Sequence, residues 1–505
     1  MWITILLDIL RPLYIVVTVL LSLYSLYLLS LTVLFWRQRW LCKPSPPAED
    51  PSYDDEALPV VAVQLPLYNE KAVALRVIDE VVKMDYPRHK LHIQVLDDST
   101  DETREMTAGR VRYWQEQGFW ITHHHRTNRQ DYKAGALREG LLLTPAELIA
   151  IFDADFLPPA GWLKGALKPY LQPNSECVGF VQTRWTHLND DYSWVTQSLA
   201  LGLDGIFGVE QPVCTHYGLF NFMNGTSMLL RRKSVEDAGG WRGDSLVEDM
   251  DLCLRMQLKG WKGVFLRDVT APAELPGLMA SYKIQQFRWA KGSMQVANLL
   301  VWPIIRSDLP FWTKAQVLEH TLGYLVNPLL LLLLALALPL YSWSTWWLDH
   351  LPFRYLSLFG IGFPLFFLTA QVTLYPPNRW WKGLTRLPIL SLIGLGMAAN
   401  NTLAVLEGLT RKKSAFERTP KFGIQKGERL TLNNIPVHVR VSRTNWLELA
   451  IALYAFVVSI IAIHAGKYIA GYFFAMYVLG FSWVAGAELL ENIAARNSSG
   501  KSYHP

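Results

Sequence analysis

Residues 12–36 (PLYIVVTVLLSLYSLYLLSLTVLFW) contain no charged side chain, and an apolar run of about 20 residues is what a helix needs to cross the hydrocarbon of a bilayer. Arg37, Arg39 and Lys43 stand directly behind it with no small-residue cleavage site, so the run reads as a retained anchor and not a signal peptide. More apolar segments fall at about 321–341, 355–375, 388–406, 447–464 and 468–488. The segment 388–406 is flanked on both sides by basic text, RWWKGLTR at Arg379–Arg386 and RKK at Arg411–Lys413. A simple span there would leave one basic flank outside, against the charge bias of membrane proteins. The expectation is five spans with 388–406 interfacial or re-entrant, six being the alternative, and an external amino terminus.

The stretch between these segments has the composition of a soluble domain, although 51% of the whole chain is apolar. Net charge is only +5, and the basic residues sit beside apolar runs. That favours an anionic membrane face over nucleic acid, which needs a basic stripe on the soluble part. Cys42, Cys177, Cys214 and Cys253 have no CxxC spacing, so neither a zinc site nor a disulfide framework is indicated. The 20 tryptophans suit interfacial anchoring and also flat platforms for sugars.

Residues 44–59 are rich in proline and acid and read as a linker. A strand over 60–65 ended by Pro66, a helix over 71–84 and a strand over 91–96 follow, with Asp97 and Asp98 at the second strand's carboxyl end. Strand, helix, strand with polar residues at strand ends predicts a parallel sheet whose ligands sit beyond its carboxyl edge. His123, His124 and His125 are adjacent and converge poorly on one ion, so they read as a surface or strand-edge cluster. Lys133 falls at the start of an alanine- and leucine-rich helix, where free N–H groups favour an anion. A solvated first-turn lysine would look the same.

IAIFDAD (149–155) ends an apolar strand in two carboxylates. On an extended backbone residues i and i+2 point the same way, so Asp153 and Asp155 could face one hard cation and, through it, a diphosphate. Ser245 or the nearby backbone could start a helix whose first turn holds Glu248 and Asp249, with Gly260 ending it. Residues 281–300 mix basic, amide and apolar positions at helical spacing and read as a helix lying on the membrane surface. A metal-diphosphate, a nucleotide and a proton acceptor for an attacking hydroxyl together need about this set of polar groups. Intact carboxylates argue against a transporter with a degenerate soluble domain.

QLPLYNE, IQVLDDSTDET, YKAGALREG, FDADF, VQTRW, FGVEQ, NGT, EDMDLCLR, QLKGW, PAELP and QQFRWAKG occur in that order. With them the chain resembles the membrane-integrated family 2 glycosyltransferases with the D, DxD, ED, QxxRW signature, and among these the cellulose synthase-like glucan and mannan synthases. The resemblance implies an α/β GT-A nucleotide-sugar-binding domain (60–270) inserted between transmembrane helices of a multi-span α-helical membrane protein. A helix within 1–43 would precede it. Interfacial helices at 271–316 and a membrane region at 317–492 would follow, with an interfacial segment at 386–408, a gating-like loop at 409–440 and a tail at 493–505.

The same resemblance implies that Tyr68, Glu70 and Asp98 contact the nucleotide, that Lys133 and Asp153 approach the diphosphate, and that Asp155 with Asp153 takes Mg²⁺ or Mn²⁺. Asp249, beside Glu248, would be the general base of an inverting, β-forming transfer. Gln285 and Trp289 would hold the acceptor, and Arg288 the departing diphosphate. FERTPK resembles the gating-loop motif FxVTxK, which would bring Thr419 and Lys421 over the nucleotide. The expected reaction is processive extension of a β-glucan from UDP-glucose. The alternatives are a mannan or glucomannan made from GDP-mannose, or a single transfer to a lipid acceptor. The catalytic domain is expected to be cytosolic, at a plasma or inner membrane or its Golgi equivalent.

Overall fold

The computed structural model describes residues 2–41, 55–343, 360–410, 412, 416–424, 427–430 and 441–499. Most of the linker, Cys42, the tail beyond residue 499 and parts of the loop 409–440 lie outside the described residues.

Seven strands form one sheet in the order β3-β2-β1-β4-β6-β5-β7: β1 Val61–Leu67, β2 Leu91–Asp97, β3 Ile121–His125, β4 Leu148–Ile151, β5 Val178–His187, β6 Met228–Arg231 and β7 Lys262–Ala273. β1 to β4 pair in parallel, and β6 runs antiparallel between β4 and β5. Val61, Val63 and Leu65 on β1 are fully buried, as are Ile93 and Val95 on β2. Near-continuous apolar runs are what strands covered on both faces require, and each such side chain contributes roughly 1.5–3 kcal/mol by leaving water.

Pro66 does not end β1 as the sequence suggests. Pairing with β4 stops at Gln64 opposite Ile151, and the Gln64 carbonyl accepts the last hydrogen bond on that side, from Phe152 N–H at 3.2 Å. Two residues on, the N–H that proline lacks would face a ladder that has already ended, so the strand runs on to Leu67.

Among the described residues, four helices are long and apolar enough to cross a membrane: Ile5–Leu41, Phe311–Trp343, Asn445–His464 and Tyr468–Arg496. The chain is a multi-pass membrane protein with a soluble α/β domain. Of the segment 355–375, the described part is a shorter apolar helix, Gly362–Leu374. The segment with basic flanks is a broken pair, Lys382–Gly396 and Ala398–Leu409, bent by 49°.

The charged segment expected to lie at the membrane surface forms the helix Met279–Arg306, and its charges are not open to solvent. Tyr282, Lys283, Ala290, Lys291 and Met294 on it are buried, because it packs between the soluble domain and the helices Ala398–Leu409 and Tyr468–Ser499. Its charges are neutralised from far along the chain. Lys283 Nζ lies 2.6 Å from both Glu448 and Glu488, and Lys291 Nζ lies 2.8 Å from Glu407. Glu491 caps its amino end, accepting from Met279 N–H at 2.7 Å and Ala280 N–H at 3.1 Å. Glycine sets the close approach on the other side: a Cβ on Gly292 would stand 2.8 Å from Val247, the residue before Glu248 and Asp249.

Candidate active site

Beyond the carboxyl ends of β1, β2 and β4 lies a cavity of about 550 Å³ that continues between the membrane helices. Every site residue expected from the sequence borders it: Tyr68, Glu70, Asp98, Lys133, Asp153, Asp155, Glu248, Asp249, Gln285, Arg288, Trp289, Thr419 and Lys421. Three loops at strand ends, two helix starts, one long helix and a distant loop bring them together.

The two aspartates of DAD are not on an extended backbone. β4 stops at Ile151, and Phe156 N–H donates to the Asp153 carbonyl at 3.1 Å, so the motif is a turn. Alternation therefore does not align the carboxylates; the turn and two lysines do. Lys133 Nζ donates to Asp153 Oδ1 at 2.6 Å and to the Gly225 carbonyl at 2.8 Å. Lys421 Nζ lies 2.6 Å from Asp155 and 3.2 Å from Glu70.

Burial works to lower the Lys133 pKa, but Asp153 and Glu248 outweigh it and raise the lysine's pKa. Burial likewise works to raise Asp153, yet Lys133 and Lys421 hold it below the usual carboxylate range. Asp155 goes the other way, pushed up by burial despite Lys421.

Gly225 of the NGT turn has φ +80, and a Cβ there would meet Asp249 Oδ2 at 3.0 Å and Lys133 Nζ at 3.6 Å. A side chain at this position would be strained and would crowd both groups. Asp249 and Glu248 open the helix Glu248–Leu258, whose N-cap is Val247 without a side-chain bond. Ser245 does not cap it, since its hydroxyl is buried without a partner. Burial, then the neighbouring Glu248 charge, pushes Asp249 up to about 7.

The carboxyl end of β2 separates two acids that look alike in sequence. Asp97 is fully buried, bonded to Ser99 N–H at 2.8 Å and to His123 at 3.0 Å, and so belongs to the scaffold. Asp98 faces the cavity but is gripped in a fork by Arg126, Nε to Oδ1 at 2.7 Å and Nη2 to Oδ2 at 2.6 Å. The histidines are only partly exposed, and β3 points them at different partners. His124 meets Thr122 Oγ1, and His125 meets the Ser99 carbonyl.

Four cavity participants were not foreseen from the sequence. Arg129 lies 3.3 Å over the Tyr68 ring. Arg418 reaches Glu70 at 3.3 Å. Glu274 accepts from Phe422 N–H at 2.8 Å and Ile424 N–H at 3.1 Å, fastening the 416–424 loop over the site. Phe416 stacks on Tyr132 with centroids 5.4 Å apart and carries Arg288 at 4.8 Å over its ring. The usable signals were the two arginines in the turn RTNRQDYK and the acid inside PAELP. Asp131 and Tyr132 in that turn both have positive φ, 58° and 49°, backbone strain of the kind held at functional sites.

The donor set suits a small hard cation. The DAD turn brings two of the cavity's carboxylates, Asp153 and Asp155, side by side, and among the described residues no group of three or more His, Cys, Asp or Glu forms a ready cage. Mg²⁺-type ions bound by one or two carboxylates complete their shells with water and substrate phosphate.

Residues 59–292 match the family model described as "Glycosyltransferase like family 2". This region is a family 2 glycosyltransferase domain. The chain is 38% identical over 288 residues to Glucomannan 4-beta-mannosyltransferase 1 of Oryza sativa subsp. japonica, covering 56% of this chain and 55% of that protein. It is 37% identical over 306 residues to Glucomannan 4-beta-mannosyltransferase 2 of Arabidopsis thaliana, covering 58% and 56%. The aligned part thus spans little more than half the length of these curated relatives. Among solved structures, the mannosyltransferase PcManGT from Pyrobaculum calidifontis, in complex with GDP-Man and Mn²⁺, superposes with a TM-score of 0.52 at 24% identity. That match covers 78% of this chain and 100% of the other, and it establishes a shared fold.

Proposed function

We propose that the transferase moves a mannosyl group from GDP-mannose to an acceptor hydroxyl with inversion, extending a β-linked mannan or glucomannan at the cytosolic face of a membrane. The observation that carries the reading is Asp249. It is a carboxyl at about pKa 7 in the same cavity as an acid pair suited to a metal-diphosphate and a tryptophan suited to a sugar. The relatives' names and the ligand of the solved neighbour move the donor from UDP-glucose, the first expectation, to GDP-mannose.

Asp153 and Asp155 are the residues to hold Mn²⁺ or Mg²⁺, which when bound neutralises charge on the donor's phosphates. Asp249 takes the proton from the attacking hydroxyl. A base with a pKa near the working pH combines an available lone pair with sufficient driving force. Lys133, Arg288 and Lys421 surround the place where negative charge grows on the leaving diphosphate, and fixed cations in a water-poor site stabilise such charge strongly. The Trp289 indole offers an apolar face to the terminal sugar. Tyr68, stacked with Arg129, and Glu70 and Asp98, each paired with arginine, border the nucleotide end, which Thr419 helps to roof. Gln285 stands one turn before Arg288 on the acceptor side.

Offering the purified protein GDP-[¹⁴C]mannose and UDP-[¹⁴C]glucose in turn with Mn²⁺ tests the reading. Mannose should enter a β-mannosidase-sensitive product; incorporation from UDP-glucose alone would return the donor to glucose.

A further inference from the structure

Two arginines three residues apart, in the turn between β3 and the helix Tyr132–Leu142, have opposite surroundings. Arg126 is spent. Besides its fork on Asp98 it donates to the Gln130 carbonyl at 3.3 Å and the Tyr132 carbonyl at 2.9 Å. Arg129, among the described residues, makes no hydrogen bond or ion pair through its guanidinium, and its Nε is buried without a partner. A buried donor without an acceptor is costly, and Arg129 borders the cavity, where a ligand could supply one.

The fold holds this unpartnered group firmly. Three rings lie around its Cζ, Tyr68 at 3.3 Å, Tyr132 at 5.0 Å and Phe416 at 5.7 Å, contacts that suit a cation and orient it without using its N–H groups. Tyr68 is set by Asn69, which has φ 52, donates from N–H to Ser99 Oγ at 2.9 Å and accepts from Thr100 N–H at 2.8 Å. On the other side the left-handed residues Asp131 and Tyr132 fix the turn, and Arg138 holds the Asp131 carboxylate at 2.8 Å.

We infer that Arg129 reads the base of the donor, giving two N–H groups to the neighbouring O6 and N7 of guanine, and so sets the preference for a guanosine over a uridine diphosphate. An arginine has five donors and no acceptor, so it suits an edge that offers two acceptors side by side. Guanine has that edge, adenine sets a donor amine beside N7, and a pyrimidine of the uracil type offers one carbonyl there. Each Asp98 oxygen already accepts from Arg126, which weights the remaining capacity at this end toward donors. The inference rests on the proposed function in taking GDP-mannose as the donor.

Calorimetry on the full-length protein in detergent, with GDP, 7-deaza-GDP and UDP each in the presence of Mn²⁺, tests the assignment without any transfer step. 7-Deaza-GDP has C–H where guanine has N7. The wild type should bind it about tenfold more weakly than GDP, the loss of one charge-assisted hydrogen bond. Arg129→Met should weaken GDP by about 10–100-fold, as loss of a two-bond contact to guanine requires. It should also bring GDP and 7-deaza-GDP level and leave UDP bound as before. Equal binding of GDP and 7-deaza-GDP by the wild type overturns the proposal, and this comparison needs no variant to fold. A difference that survives in Arg129→Met overturns it too, and an equal fall for GDP and UDP would move Arg129 to the diphosphate. A GDP preference indifferent to N7 strikes Arg129 alone and keeps the donor reading, whereas wild-type protein that favours UDP over GDP removes both.

Discussion

Two clusters in this molecule combine lysine with acid pairs and behave as opposites. Lys283, Glu448 and Glu488 are sealed, with side chains only 0–2% exposed, and one ammonium serves both acids. In the cavity, Asp153 and Asp155 each have a lysine of their own, and Asp153 keeps 31% of its side chain exposed. A cluster closed to solvent, with Ser442 and Asn445 completing its hydrogen bonds, fixes one arrangement of the helices around it. An open cluster can exchange each lysine for a ligand. The same residue types thus make a sealed pin in one place and a cavity lining in the other.

The largest expected effect is on the sealed side. Lys283→Ala leaves two buried acids unpaired and should destabilise the protein by about 3–5 kcal/mol, read as lost monodisperse yield and a lower Tm in detergent. Combining Lys283→Met with Glu448→Gln and Glu488→Gln should recover much of that, and failure to recover would mean that the charges do more than neutralise one another. In the open cluster's neighbourhood, Asp249→Asn should cut turnover by about 10²–10⁴-fold with Tm and donor binding retained. Near-normal turnover would end the base assignment. Lys421→Ala should leave Tm unchanged and raise donor KM about tenfold, the loss of one charge-assisted contact. A Tm loss matching that of Lys283→Ala would erase the contrast between the clusters. Trp289→Ala should be the mildest, shortening the product with little change in donor KM, as chain sizing would reveal.

The raised Asp249 carboxyl makes rate and stability move in opposite directions with pH. Its ordinary pKa is 3.8 and its folded value about 7, so between those values the native state holds a proton that the unfolded chain has released. Stability from this group is present below the lower value and is lost as pH rises through the window, whereas a base must be unprotonated to act. Transfer should therefore fall below about pH 7 along an acid limb, while thermal unfolding in Asp249→Asn should lose this part of the wild type's pH dependence.

What the sequence made legible follows from range. β1, β2 and β4 are apolar runs that stop at polar residues, and that signal is local. The residues of the cavity were readable because strand ends and helix starts announce themselves within a few positions. The partners were not readable: Asp98 and Asp97 are neighbours, yet one turns to Arg126 and the other to the core. The helix Met279–Arg306 reads as membrane-surface because a charge-bearing segment does not easily span, and its sequence gives no sign of the acids 116 to 205 residues away that pair its buried lysines. Pro66 and the DAD turn show the same limit, since each depends on where the neighbouring ladder ends.

Lys421 meets Asp155 across 266 residues of chain, and Glu274 ties the same loop down from β7's end. Two walls of the cavity are therefore encoded by widely separated stretches of the chain. Substitutions in 416–424 can retune how a nucleotide is covered without disturbing a single strand of the sheet. On the proposed reading, a lineage would change its sugar donor by drift in this short loop while the sheet stayed still. Exchange of that loop between relatives with different donors would replay such a step in one cloning experiment.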